Sequence, residues 1–333
     1  MWVEEACFTI MNDSFVPFKA HWLFRGGVTQ TVLATQFPGE AVLPQRKTHK
    51  IQVGAKSALI ALELEAEDPR SSIVLMAHGM GGCSESGYMR RIATKLCSKG
   101  FGVFMMNHRG SGPGIGMSDS LWNGGSSDDL EHMVKHIVKL YPKRSLLLVG
   151  FSLSGNVLLK YLGEGRTLPA NVHGAFAVNP PVDLKVASRI LSRKNGVGIF
   201  NRYYMKLIRR QCEALAECHP EAFQPQKPFK TIWDFDEVYT APAAGFADVE
   251  DYYAKCSAKQ FIDAIEIPTV ILCARDDPFI PPSVFENLRL NLPINTIFPD
   301  RGGHMGYLTS KATPFGDHRW MDYAVVNWVE NPE

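Results

Sequence analysis

Residues 146–156 read Leu146-Leu147-Leu148-Val149-Gly150-Phe151-Ser152-Leu153-Ser154-Gly155-Asn156. A short apolar run of this kind, bounded by turn residues, suits a strand buried on both faces. It runs into a tight turn, and a helix starts near Ser152. A serine at such an apex sits in a strained conformation with its hydroxyl exposed above the sheet. The strain demands small residues two before the serine and two or three after it. Gly150, Ser154 and Gly155 meet that demand. The usual pattern is G-x-S-x-G, and Ser154 replaces its last glycine. The departure is mild, because serine is small and Gly155 follows at once.

Working outward, strand and helix alternate on both sides of this turn. Strands are predicted at 49–53, 58–64, 72–77, 102–107, 145–149 and 172–178, the first two joined by a turn at Gly54. Between them lies a helix with Met89, Ile92, Ala93, Leu96 and Cys97 on one stripe, ended by Gly100. A second helix is capped by Ser126 or Ser127, with Asp128 and Asp129 in its first turn and Leu130, Met133, Val134, Ile137 and Val138 as its apolar face. Such alternation implies an α/β fold: a mostly parallel, doubly wound sheet with helices on both faces. It stops after Asn179-Pro180-Pro181 and resumes with a strand at 269–273, a helix near 283–290, a strand at 296–298 and a last helix striped by Met321, Ala324, Val325, Trp328 and Val329. Residues 46–181 and 263–333 therefore read as one core domain, 182–262 as an inserted helical cap, and 1–45 as an arm packed on the core. The aromatic-rich arm either packs on the domain or lines an entrance; packing is the simpler reading.

Serine alone is a poor nucleophile and needs a base, itself held in the right tautomer by a third group. On sheets of this kind the order along the chain is Ser, then Asp or Glu, then His. Asp277 follows the strand at 269–273, and His304 follows the last strand behind Gly302 and Gly303. Asp277 is preferred to Asp276 because its D-x-x-x-P spacing to Pro281 matches the usual turn there; Asp276 then bonds loop amides. Strand ends at one edge of an open sheet carry its ligand site. Donors for a developing oxyanion come from the Leu153 amide, at the start of the elbow helix, and from the Met80 amide, in His78-Gly79-Met80-Gly81-Gly82. Gly79, Phe151 and Met305 are placed beside the substrate. His78 is read as a structural, backbone-bonding histidine and Arg109 as a loop-stabilising arginine. The chemistry calls for no cofactor and no metal.

The bulk composition narrows the partners. Of 333 residues, 45% are hydrophobic, enough for a large core, and the formal net charge is +1. That balance offers no electrostatic reason for nucleic acid or an anionic membrane. Seven cysteines, an odd number with no CxxC pair, suit free thiols in a reducing compartment. Cys212, Cys218 and His219 lie close in sequence but lack the tight ligand pairs that zinc favours. MWVEEACFTIMNDSF has no signal-peptide pattern, and no apolar run reaches the ~20 residues of a membrane helix. A cytoplasmic protein with no integral membrane segment is expected.

HGMGG, NHRGSG, GFSLSGN, the stretch 234–253 (DFDEVYTAPAAGFADVEDYY), ARDDPFIP and GGHMGYL together resemble the YheT-like family of α/β-hydrolase-fold serine hydrolases, over nearly the whole chain. That family is related to abhydrolase-type lipases and yeast ethanol acyltransferases. The resemblance implies carboxylic ester cleavage through an acyl-enzyme, with a small acyl ester as partner. Acyl transfer from a thioester to an alcohol is the alternative, and a catalytically silent binding protein the third. Ile199, Phe200, Tyr203, Tyr204, Met205, Leu207 and Ile208 of the cap are candidates to line an apolar acyl pocket.

Overall fold

A computed structural model describes residues 16–66, 72–193, 198–286, 288–290 and 293–332. The reading of the first fifteen residues lies outside the described residues. Eight strands form one sheet: β1 (Arg46–Gly54), β2 (Ser57–Leu64), β3 (Ser72–Ala77), β4 (Gly102–Asn107), β5 (Ser145–Phe151), β6 (Val172–Val178), β7 (Thr269–Leu272) and β8 (Ile294–Ile297). Their order is β1-β2-β4-β3-β5-β6-β7-β8. Only β2 runs against the others.

Ten α-helices accompany the strands among the described residues: α1 (Gly27–Gln36), α2 (Gly87–Ser98), α3 (Ser127–Leu140), α4 (Leu153–Gly163), α5 (Leu184–Leu191), α6 (Gly198–Cys218), α7 (Ile232–Phe235), α8 (Ala241–Ala243), α9 (Val249–Cys256) and α10 (Trp320–Glu330). The period of two along each central strand divides the core in two. Ile73, Leu75, Leu146 and Leu148 pack with Leu130, Met133, Ile137 and Leu158 of α3 and α4. Val74, Met76, Leu147 and Val149 pack with Met89, Ile92, Leu96, Val325 and Trp328 of α2 and α10. Both faces are therefore covered, which is why these strands are apolar throughout rather than alternating.

Three details differ from expectation. Ser126 precedes α3 but does not cap it; its hydroxyl accepts from the Asn123 amide at 2.9 Å instead. No helix spans 283–290; one 3-10 turn, Pro282–Val284, stands there, and residue 287 lies outside the described residues. That turn hands Phe285 to Phe298, ring to ring at 5.0 Å, so a local apolar contact rather than helical period sets the stretch. The last strand starts two residues earlier and ends one residue earlier than its apolar pattern suggests, because the ladder pairs Thr269 with Ile294 and Leu272 with Ile297.

Between β6 and β7 the chain builds α5 to α9. It then returns along α4, where Ala258, Ile262 and Ile265 join the core beside Leu159 and Leu162. This contact is close: a Cβ on Gly163 would sit 1.9 Å from the Phe261 carbonyl oxygen. The arm carries α1, and the arm's Phe18 packs on Tyr307 and Trp320 at ring separations of 5.5 and 5.3 Å.

Candidate active site

The strand order reverses at β3, which lies between β4 and β5. Chains leaving β3 and β5 diverge at their carboxyl ends and open a crevice there. Gly79 follows β3 and Ser152 follows β5. Ser152 has φ 51° and ψ −120°, an uncommon backbone for a serine. The turn is held by the Ser152 amide donating to the Val178 carbonyl at 2.8 Å and the Gly155 amide donating to the Ser152 carbonyl at 2.8 Å. Gly150 is required by the same turn, since a Cβ there would lie 2.6 Å from the Ser154 carbonyl oxygen.

The three residues picked out by chain order meet at this crevice. Ser152 Oγ lies 2.7 Å from His304 Nε2, and His304 Nδ1 lies 2.8 Å from Asp277 Oδ2. An ionised carboxylate only accepts, so Nδ1 carries the imidazole proton and Nε2 is left bare to accept from the serine hydroxyl. Asp277 is fixed by three more donors: Asn179 Nδ2 at 2.7 Å and the amides of Phe279 and Ile280 at 2.9 and 3.2 Å. The Phe279 ring lies 4.7 Å from the imidazole. Asp276 bonds a loop amide, accepting from Gly303 N at 2.8 Å.

The histidine loop closes one bond of its own, from the Tyr307 amide to the Gly302 carbonyl at 3.0 Å, and leaves three amides between them to other segments. Gly303 and Met305, on either side of His304, both have φ of 59°. Three successive amides are each taken by a side chain from a different part of the chain. Gly303 N donates to Asp276 Oδ1 at 2.8 Å, His304 N to Thr31 Oγ1 at 2.8 Å, and Met305 N to Asn179 Oδ1 at 3.3 Å. Asn179, wholly buried with φ 45°, also accepts from Tyr307 Oη at 3.0 Å. Sequence reasoning missed Asn179 and Thr31. The only signal for Asn179 was its place at a strand end before two prolines.

Beneath the elbow, His78 Nδ1 donates to the Gly79 carbonyl at 2.8 Å while its Nε2 accepts from His108 N at 3.3 Å. Burial pulls the His78 pKa down to about 4, so it stays neutral and structural. Ser154 hydrogen-bonds the His78 carbonyl. Its single proton goes there, so its oxygen accepts from His108 Nε2, 2.7 Å away. His108 lies flat on Trp122 with centroids 3.8 Å apart. Ser154 thus ties the elbow to two other loops, which a glycine cannot do. Arg109 grips Asp129 through Nε at 2.8 Å and Nη2 at 2.5 Å, a loop-holding pair.

Met80 and Leu153 flank Ser152 at the crevice. Among the described residues, no hydrogen bond engages either amide. Gly79 lies directly under the serine: a Cβ there would come within 3.0 Å of Ser152 Cβ. Two cavities meet at Ser152 and His304. One of about 90 Å³ is walled mainly by the cap, including Leu184, Leu191, Ile208 and Phe235. The other, of about 340 Å³, lies among Thr31, Gly79, Tyr88, Phe200, Tyr203 and Met305. Of the cap residues expected to line a pocket, Ile199, Phe200, Tyr203, Tyr204 and Ile208 do so. Met205 is buried in the core instead, and Leu207 packs over Gly81.

Phe151 departs from the expectation that it lies beside the substrate: it is wholly buried in the α2–α10 layer, 4.9 Å from the Tyr88 ring, and lines neither cavity. The strand period sends it to the face opposite its neighbours Gly150 and Ser152.

Cys212 and Cys256 are buried and Cys218 exposed; the six described cysteines are free thiols, and Cys7 lies outside the described residues. Among the described residues no helix is long and apolar enough to cross a membrane.

A sheet of this order, with a serine at the β5 elbow and an aspartate and a histidine after β7 and β8, is the arrangement of an α/β hydrolase. Residues 72–311 match the family described as alpha/beta hydrolase fold, and the chain belongs to that family. The relatives bear out the resemblance drawn from the motifs. The chain is 26% identical to the putative esterase YheT of Escherichia coli, over 77% of this chain and 76% of that protein. It is 29% identical to the medium-chain fatty acid ethyl ester synthase/esterase 2 of Saccharomyces cerevisiae, over 71% of this chain but only 58% of that protein. Among solved structures, an esterase of Pyrococcus furiosus superposes with a TM-score of 0.56 at 15% identity, covering 87% of this chain and 98% of that one.

Proposed function

We propose that the chain is a carboxylic ester hydrolase working through an acyl-enzyme. The observation that carries the reading is the continuous contact from Ser152 Oγ to His304 Nε2 and from His304 Nδ1 to Asp277, at 2.7 and 2.8 Å. Ser152 attacks the acyl carbonyl as His304 takes its proton. The amides of Met80 and Leu153 receive the negative charge on the carbonyl oxygen, a contribution of about 3 kcal/mol per donor. His304, now cationic beside Asp277, gives its proton to the leaving alcohol. Water deprotonated by His304 then attacks the acyl carbon, and His304 returns that proton to Ser152 Oγ as the acid leaves. The cap-walled cavity supports a short or medium apolar acyl chain, and the larger one leaves room for the alcohol portion.

Labelling with a fluorophosphonate, followed by hydrolysis of p-nitrophenyl esters of graded chain length, tests this. Wild type should label and hydrolyse, and Ser152→Ala should do neither. A folded wild type that hydrolyses none of the esters would count against the reading. The second cavity also favours an acceptor other than water: acyl transfer from a thioester to an alcohol. Product analysis with an acyl-CoA and ethanol separates the two, since transfer yields ethyl ester and hydrolysis yields free acid.

A further inference from the structure

We infer that Thr31, on the N-terminal arm, is a positioning residue for the base, so that the arm is a working part of the active site. The inference rests on the reading of Ser152 and His304 given above. Thr31 is buried, and its hydroxyl has one proton, which goes to the Gly27 carbonyl at 2.7 Å. Its oxygen is left to accept the His304 amide at 2.8 Å, from a residue 273 positions away. Positive φ at both neighbours prevents the loop from satisfying that amide through regular structure.

The arm is placed firmly enough to act as a support. The side-chain amide of wholly buried Gln30 closes on the backbone of Leu308: Nε2 donates to the Leu308 carbonyl at 3.1 Å and Oε1 accepts from the Leu308 amide at 2.6 Å. The two surfaces approach so closely that side chains are barred between them. A Cβ on Gly303 would lie 2.1 Å from the Gly27 carbonyl oxygen, and one on Gly306 would lie 2.7 Å from that of Gln30. Thr31 therefore holds the Cα of His304 from one side while Asp277 holds its ring from another. Together they place Nε2 against the serine. Losing the acceptor leaves the His304 amide buried and unpaired, and the loop shifts to find a partner.

The test compares Thr31→Val, which keeps the shape and loses the acceptor, with Thr31→Ser, which keeps the acceptor. Two readouts are taken on the full chain: the rate constant for fluorophosphonate labelling, and kcat and KM on p-nitrophenyl butyrate. Because sub-ångström misplacement of a base is costly, Thr31→Val should label and turn over about 10-fold to 100-fold more slowly, with KM changed less than about 3-fold. Thr31→Ser should stay within about 3-fold of wild type in both. Thr31→Ala replaces the valine variant if that one melts below the assay temperature. A folded valine or alanine variant that labels as fast as wild type would overturn the inference. So would a serine variant as slow as the valine one. A wild type that does not label at all would instead sink the assignment of Ser152 and His304, and this inference with it.

Discussion

Asn179→Asp puts a second carboxyl where Asn179 Nδ2 now donates to Asp277 Oδ2, 2.7 Å away. Both sites are buried, so two carboxylates cannot coexist there without a shared proton. At that separation and an effective dielectric of about 20, repulsion between two full charges is about 6 kcal/mol. Divided by 1.36 kcal/mol per pKa unit, this lifts the upper titration of the pair about four units above an ordinary carboxyl, to near pH 8. Below that pH the introduced carboxyl keeps its proton and donates to Asp277 as the amide did. Its other oxygen still accepts from Met305 N and Tyr307 Oη. Above it, both groups ionise and push apart. The assay is kcat/KM against pH from 6 to 10 on a p-nitrophenyl ester, for wild type and variant side by side. The variant should stay within about 10-fold of wild type at pH 6.5 and lose activity through an added descending limb near pH 8. Superimposable profiles would refute the geometry, because they would mean that residue 179 and Asp277 do not share a proton.

Ser154→Ala leaves the His78 carbonyl and His108 Nε2 unpaired in the interior, a loss of about 2–4 kcal/mol that urea denaturation should read; an unchanged midpoint would mean that Ser154 holds neither loop. Gly79→Ala forces its new methyl to 3.0 Å from Ser152 Cβ, so kcat should fall about 100-fold with the melting temperature little changed. Acid should destabilise the fold through His78. Its folded pKa of about 4 lies below the free value of 6.5, so the unfolded chain takes up the proton first. The fold is undisturbed by this group above pH 6.5 and loses about 3 kcal/mol as the pH falls to 4. Chemical denaturation at pH 7, 5.5 and 4 checks it, and His78→Gln should flatten that slope.

The elbow, the aspartate and the histidine were legible because each sits beside an apolar run whose strand assignment is secure. The catalytic order along the chain then leaves few candidates. Between Asp276 and Asp277 the proline spacing decided correctly which one faces His304. What escaped were groups that act across the fold by one hydrogen bond. Thr31 lies in a stretch without period and Asn179 just past the end of β6, and nothing local marks a side chain whose partner is an amide 273 or 126 residues away. The arm was hard to read for the same reason: it is held by backbone bonds to Leu308 and Ser310, the Thr309 hydroxyl and single side chains such as Phe18 and Gln30, not by an apolar stripe. Phe151 adjoins Ser152 in sequence, yet strand alternation turns its ring to the opposite face of the sheet. The missing helix at 283–290 shows the reverse error, a helical period overridden by the Phe285–Phe298 contact.

The chain leaves the carboxyl end of β6 and must re-enter at the amino end of β7, its immediate neighbour in the sheet. Residues 258–265 make that journey, sealed against α4 at Gly163. They do the work of the crossover helix that a parallel pair needs, and so belong to the foundation rather than to the roof it carries. Grafting a foreign cap onto this scaffold should therefore begin after Val182 and stop before Ser257. A cut made later would strip the flank of α4 and expose the seam between β6 and β7.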